Sequence, residues 1–483
     1  MPEFHSEPYI YLPAVSHKSA LIAWGAFYFR TNSHSTRDSI VSRLNPSLRA
    51  GPRWKIVDDH DLKYVHPPRK DSIGAQSAPF GPARVEVYDR AGATVAVAKT
   101  ETCNHCWVPG LLPDTEYTYK VFVKGQEWAS GERWDWSAAD KALVQAGGVY
   151  DNRFRTNPDA SKPASDLAFA VIGDFGIGVR HHSPDRRQLQ VAYALRRIVD
   201  TEGVRLVLTT GDNIYAGRRI LGIPMGGTGD EDDDWFFTYF QPYRYIINRI
   251  PVYPSIGNHD ANETEEHDDR AQVEDNFYLR ERMASEEPAG RASFGPGLFY
   301  KFSYGSDIEF VCIDTSKEAF FRGKRLFEYP RHWEFVEQSF PPNAPLRWRI
   351  PFAHHPLLSA GPQHHNTRGM DRLVPLFERS GVRVMFTGHE HNFQHSRTGG
   401  LDHFVTGAAG KVRRTPPDRF IEAATVSWAT DCHFLLAKIS GNRMHVLPIG
   451  ALDDPTATPV EITRYSPARE PITGAIEIAG GSA

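Results

Sequence analysis

The sequence predicts an α/β domain preceded by an all-β module, and three observations predict it. The chain has 483 residues, more than one core usually holds, because chains split into domains beyond roughly 250 to 300 residues. From residue 8 to about 157 the apolar residues alternate or come in short runs, the mark of half-buried antiparallel strands. After the Pro, Ser and Asp-rich stretch Asn157 to Asp166, apolar strands alternate with segments of helical spacing, which argues for covered sheets.

In the N-terminal region the strands are PYIYLP, SALIAWGAFYF from Ser19, ARVEVYD from Ala83, TVAVAKT from Thr94 and TEYTYKVFV from Thr115. With Trp24 on an early strand and the turn Leu111-Leu112-Pro113-Asp114-Thr115-Glu116-Tyr117 leading into a late one, the region resembles a fibronectin type III sandwich. Such domains run to about 100 residues. The excess lies in a Pro, Arg and His-rich segment, so the module is placed at 1–157 with an insert at about 31–82.

Residues 158–166 read as a linker and 167–464 as the α/β domain. Leu167 to Ile172 is a strand, Leu189, Ala192, Leu195, Ile198 and Val199 mark one helix face, and Val204 to Thr209 is again a strand, a β-α-β unit. FYKFSY, DIEFVCIDT, Trp348 to Ala353, a helix near Asp371 to Ser380, Val382 to Phe386 and His403 to Thr406 continue the alternation. The Gly, Ala and Pro-rich tail 465–483 is expected to be poorly ordered.

Composition narrows the function. Lys and Arg number 55 and Asp and Glu 59, a net charge of −4 with no strongly basic block, so no nucleic-acid-binding surface is evident. No membrane span is present, since no stretch approaches the ~20 apolar residues needed, and the opening MPEFHSEPYIYLP lacks the features of a signal peptide. The compartment is therefore either cytoplasmic or exported with the signal removed, and nothing in the pattern specifies an oligomeric state. Cys103 and Cys106 form a lone CxxC without a second pair at zinc-site spacing, which reads as a loop without chemistry. GDFGIG has the wrong glycine spacing for a dinucleotide fold, and TGAAGKVRR lacks the spacing of a phosphate-cradling P-loop. The acidic run Asp230 to Asp234 reads as a solvated face, and Asn262-Glu263-Thr264 is a glycosylation sequon that matters only after export.

The informative feature is what stands at the strand ends: Asp174 in VIGDFG, Asp212 in GDNIY, Asn258 and His259 in GNHD, His354 in FAHHP, and His389 with His391 in GHEH. Ligands of α/β sheets bind at carboxyl ends of strands, where side chains from distant segments converge. Each motif alone reads more readily as a cap or turn than as a ligand. Five in this order, mixing oxygen and nitrogen donors, point to metal. The order DxG, GDxxY, GNH, HxP and GHxH is similar to the calcineurin-like metallophosphoesterases, and most closely to the purple acid phosphatases among them. Most of the broader family carries a His two positions after the first Asp; here Gly176 stands there, and Tyr215 follows Asp212 by three.

The resemblance, covering about residues 166 to 450, implies a four-layer α/β/β/α sandwich with two mixed sheets. It implies a first metal held by Asp174, Asp212, Tyr215 and His391, and a second held by Asp212, Asn258, His354 and His389, with Asp212 bridging. A tyrosinate favours a hard trivalent ion, so Fe(III) is expected at the first site and divalent Fe, Zn or Mn at the second. The substrate is a small phosphate ester, hydrolysed by attack of a metal-bound hydroxide on phosphorus. His259 is the candidate to contact phosphate or protonate the leaving group, and His364 and His365 lie where plant-type members place further substrate histidines. His355 and Glu390 point away from the ligands along their segments and read as structural. Pro351, three before His354, departs from the family's hydrophobic residue and weakens the inferred strand there. The rivals are a phosphodiesterase acting on nucleotides or cyclic nucleotides with the same site, and an inactive binding protein that uses its fibronectin-like domain.

Overall fold

The structure is a computed structural model that describes residues 4–32, 53–56, 80–133, 147–177, 187–215, 218–220, 223–225, 235–260, 270–286, 293–294, 298–316, 327, 330–342 and 346–480. Most of the 31–82 insert, the acidic run Asp230 to Asp234 and the sequon at Asn262 lie outside the described residues.

The alternating N-terminal segments form two antiparallel sheets. One contains Phe4–Val15, Ser19–Asn32, Arg53–Ile56 and His105–Pro109; the other contains Ala83–Tyr88, Thr94–Thr100, Glu116–Val123, Gln126–Glu127 and Arg153–Arg155. Ala83–Tyr88 and Glu116–Val123 alternate buried and less buried residues, as period-two side chains on a one-sided sheet must. Ile10, Leu12, Ile22, Trp24, Val85, Val87, Val108 and Val121 form the core of this layer pair. In the Leu111 to Tyr117 turn the Leu112 N–H donates to the Tyr117 hydroxyl at 2.9 Å.

The opposite face of the first strand is also apolar and belongs to the second core. Tyr9 and Tyr11 pack on Phe240, with ring centroids at 4.6 and 5.3 Å, and Glu7 pairs with the buried Arg244. Residues 158–165 are tied down, with Ala164 N–H donating to Asp307 at 2.8 Å.

Beyond them stand two mixed sheets. The first has the order Val252–Pro254, Val204–Thr209, Asp166–Ile172, His433–Ser440, Arg443–Gly450, Ile476–Ala479. The second runs Ser293–Phe294, Tyr300–Tyr304, Ile308–Cys312, Trp348–Phe352, Val384–Thr387, Leu401–Thr406, Phe393–Thr398, Thr425–Ala429, Arg464–Tyr465, Pro471–Ile472. The sheets meet face to face through Phe169, whose ring lies 5.4 Å from Phe310 and 5.9 Å from Phe386. The helix Arg187–Glu202 buries Leu189, Val191, Ala192, Ala194, Leu195 and Ile198 against the first sheet. On the second, neighbours in each strand alternate: Phe310, Phe352 and Phe386 face the inner core, while Val311, Ala353 and Met385 join Val336, Phe340, Leu376 and Phe377 under the helices Pro330–Ser339 and Val374–Arg379. Helix, sheet, sheet and helix are the four layers that the family resemblance implies.

Two expectations need correction. Pro351 does not weaken its strand: Trp348–Phe352 is wholly buried and pairs in parallel with Ile308–Cys312, Pro351 opposite Val311. The tail is not poorly ordered through residue 480: Ile476–Ala479 adds an antiparallel edge strand to the first sheet, Ile476 and Ile478 buried and Glu477 and Ala479 exposed. Its Gly, Ala and Pro content conceals a four-residue period-two pattern.

Candidate metal centre

Strand carboxyl ends of both sheets converge on one place. Asp174 follows Asp166–Ile172, Asp212 follows Val204–Thr209, Asn258 follows Val252–Pro254, His354 follows Trp348–Phe352, and His389 follows Val384–Thr387. Asp174, Asp212 and His389 all adopt positive φ, at 54°, 51° and 70°. That conformation is costly for a residue with a Cβ, and its recurrence at three strand ends marks a place where backbone strain is tolerated to aim side chains.

The ligand atoms of Asp174, Asp212 and His391 lie within 4.8 Å of one another, as do those of His354, His355 and His389. Tyr215 joins the first group, its hydroxyl 3.3 Å from Asp174 Oδ1. Asn258 joins the second, its Oδ1 2.9 Å from His354 Nε2. Asp212 stands between them, with Oδ1 3.4 Å from His354 Nε2. All seven sequence-predicted ligands are buried and brought together.

Their chemistry fits a cation. His354 Nδ1 lies 2.7 Å from the Thr210 carbonyl, which can only accept, so Nδ1 carries the proton and in the neutral ring Nε2 presents its lone pair. That nitrogen faces Asn258 Oδ1, His389 Nδ1 at 3.1 Å and Asp212 Oδ1, a convergence of acceptors that a positive ion satisfies. Burial, and then neighbouring imidazoles, hold His389 well below the usual range, and burial with the nearby Lys411 lowers His391 to about 3, so both are neutral, as ligands must be. Burial raises the Asp174 carboxyl and the Asp212 charge adds to it. Burial also acts upward on Asp212, but His354, His259 and the His259 N–H outweigh it and hold this carboxylate below its ordinary value. Burial, then the Asp212 and Asp174 carboxylates, push the Tyr215 phenol well up.

Gly176 is packed against the turn that leads to the tyrosine. A Cβ at this position would lie 2.4 Å from the Asn213 carbonyl carbon, so the glycine backbone lies directly against the 212–214 turn and leaves an imidazole no room.

A cavity of about 560 Å³ opens over the cluster, lined in part by Asp212, Asn258, His259, His364, His389 and His391. The half-buried His259 presents its ring to Tyr215 at 4.4 Å, while its N–H donates to Asp212 Oδ1 at 3.0 Å. Of the paired histidines only one packs on the cluster. His364 lies 3.9 Å from the His389 ring, and burial followed by His391 lowers it to about 3. His365 is exposed, its Nδ1 bonded to Gly361 O at 3.0 Å. His355 does not point away from the ligands as expected: its ring lies 4.3 Å from that of His389, and it is bonded to Thr315 at 2.9 Å, while Glu390 accepts from Arg413 Nε at 2.6 Å and from the His364 N–H at 2.8 Å.

Sequence reasoning missed two features. Asp260, adjacent to His259, is fully buried and accepts from Gly257 N–H, Asn213 Nδ2 and Ile214 N–H at 2.7, 2.8 and 2.9 Å, locking two ligand loops together. Lys411, Arg413 and Arg414 line the cavity; the signal was the basic end of TGAAGKVRR, set aside for lacking P-loop spacing.

Two packed mixed sheets with carboxylates and imidazoles at their strand ends define the metallophosphoesterase class. The family profile described as calcineurin-like phosphoesterase matches residues 167–393, so this part of the chain is a calcineurin-like phosphoesterase domain. It is 26% identical over 255 residues to purple acid phosphatase 4 of Arabidopsis thaliana, an alignment covering 50% of this chain and 66% of that one. It is 25% identical over 374 residues to an uncharacterized protein of Mycobacterium tuberculosis, covering 75% of this chain and 62% of the other. The chain thus spans just under two thirds of these relatives' lengths. In fold it is similar to purple acid phosphatase PPD1 from yellow lupin seeds, with TM-score 0.55, 13% identity, and 98% of this chain and 96% of that chain covered. PhoD superposes with TM-score 0.59 at 12% identity, covering 100% and 94%.

Proposed function

We propose that the chain is a purple acid phosphatase-like enzyme that hydrolyses small phosphate esters at a dinuclear metal centre. The observation that carries this reading is the placing of Asp212 between two groups of buried donors, Asp174, Tyr215 and His391 on one side and Asn258, His354 and His389 on the other. When bound, two metal ions supply an acidified water and charge neutralisation at the phosphoryl group. The phenol of Tyr215, held protonated by burial and carboxylates, would lose its proton to solvent most readily when its oxygen binds a strongly acidic ion, which favours Fe(III) on that side and divalent Fe, Zn or Mn on the other. His259, on the cavity wall and anchored through its N–H to Asp212, is placed to donate a proton to the leaving oxygen. His364, neutral at ordinary pH, orients phosphate by hydrogen bonding. The N-terminal sandwich is read as fibronectin-like on its Leu112–Tyr117 turn.

The test is hydrolysis of a phosphomonoester and a phosphodiester by one metal-analysed preparation across an acid-to-alkaline pH series, with Asp212→Asn alongside. Monoester preference, an acidic optimum and iron, all lost in the variant, support the reading. Diester preference near neutral pH replaces it with the phosphodiesterase, and absence of turnover with two metals bound replaces it with a binding protein.

A further inference from the structure

The segment after Leu401–Thr406 is held against the metal cluster by its backbone. Ala409 N–H donates to Gly173 O at 3.0 Å, Lys411 N–H to Asp174 O at 3.0 Å, and Arg413 N–H to His391 O at 2.7 Å. The glycines of TGAAG permit this approach: a Cβ at Gly410 would lie 2.7 Å from Phe175 O, and one at Gly407 2.3 Å from Glu390 O. The loop therefore sets three cations, Lys411, Arg413 and Arg414, at fixed positions on the cavity wall, in a chain whose net charge is −4.

The three are not equivalent. Lys411 Nζ stands 4.3 Å over the Tyr215 ring. Arg413 is compensated by the fully buried Glu390, whose other oxygen holds the His364 backbone. Arg414 is exposed, and among the described residues no carboxylate lies within ion-pair distance of it. A guanidinium offers a planar fork matched to phosphate oxygens. A cavity of about 560 Å³ has room for more than the phosphoryl group being cleaved.

We infer that the Lys411 to Arg414 wall is a subsite for a second phosphate, so that the preferred substrates are esters whose leaving group itself carries a phosphate, with Arg414 the specificity-determining residue. The inference rests on the proposed phosphatase reading. In the reaction water supplies the oxygen that bonds to phosphorus, the ester P–O bond breaks, and the leaving alkoxide takes a proton and departs with its own phosphate, to which Arg414 is the counter-ion.

The experiment uses the metal-loaded full chain and two matched pairs of probes: a hexose bisphosphate against the same hexose with one phosphate for turnover, and propane-1,3-bisphosphonate against propylphosphonate for calorimetric binding. In Arg414→Ala the KM for the bisphosphate rises at least tenfold more than that for the monophosphate, with kcat changed far less. The bisphosphonate loses its binding advantage by a similar factor, Arg414→Lys recovers part of it, and 0.5 M salt erodes it in wild type. An equal effect on both members of each pair overturns the inference while leaving the phosphatase reading intact. Selective binding without turnover of either hexose overturns the phosphatase reading and leaves the subsite standing.

Discussion

Replacing Asp260 by asparagine tests whether the ligand loops are positioned from behind. The carboxylate accepts two donors at Oδ2, from Gly257 and Asn213, and one at Oδ1, from Ile214. An amide can keep its oxygen on the two-donor side only by turning its NH₂ toward the Ile214 N–H, so one charge-assisted hydrogen bond is lost and two buried donors oppose each other. A charge-assisted bond contributes about 1.5 to 3 kcal/mol and an unsatisfied buried donor costs about 1 to 3 kcal/mol. Relief of the desolvation that, with the nearby Asp212 charge, raises this carboxyl offsets part of the loss. The net expectation is about 2 to 4 kcal/mol of destabilisation, read from the urea midpoint of metal-free protein. Because Ile214 lies between Asp212 and Tyr215, the same variant should weaken metal affinity about 10- to 100-fold, the usual effect of removing a partner behind a ligand, measured by chelator competition. A midpoint unchanged and an affinity within about twofold of wild type would refute the argument.

If the first metal is ferric, Tyr215→Phe should abolish visible absorption while most of the bound iron is retained; an unchanged spectrum removes Tyr215 from the ligand set. His364→Ala should lower kcat/KM about tenfold, as the loss of a hydrogen bond of about 1.5 kcal/mol to the substrate predicts, and His365→Ala should leave it near wild type; the reverse order contradicts the placement of the two rings. Stability should fall in mild acid, because burial lowers His403 to about 3 and His433 to about 4. These depressed values mean that the unfolded chain takes up both protons near pH 6.5 and the folded chain does not, so this contribution is fully present above about pH 6.5 and is lost as pH falls toward 4. Each histidine contributes a slope of up to about 1.4 kcal/mol per pH unit, and His403→Gln should remove one such share; urea midpoints between pH 7 and 4.5 that show no difference from wild type count against it.

What the sequence disclosed and what it concealed divide along physical lines. Ligands at strand ends were readable because only a few side chains bind metal and because strand and turn grammar places them on one edge; Asp174, Asp212 and His389 announce themselves this way. The pair His364 and His365 could not be resolved, since adjacent residues in a loop have no fixed alternation, and only the packing of His364 on His389 separates them. Asp260 was hidden beside a more conspicuous histidine, its role depending on donors from two loops distant in sequence. The Lys411 to Arg414 run was hidden because exposed-looking cations are usually solvated, and nothing local reveals that their backbone is bonded to Asp174 and His391. In the N-terminal module the alternation was plain, yet that the second face of the first strand would be buried against Phe240 could not be read from alternation alone.

The close approach of Gly176 to Asn213 bears on how such a centre responds to substitution. Placing an imidazole at 176 would push on the very turn that carries Asp212 and leads to Tyr215. Any side chain at 176 therefore requires the backbone of the neighbouring turn to move, and that movement shifts Asp212, which stands between the two donor groups. Position 176 and the 212–215 turn are thus mechanically coupled, and a change of side chain at one is felt at the other.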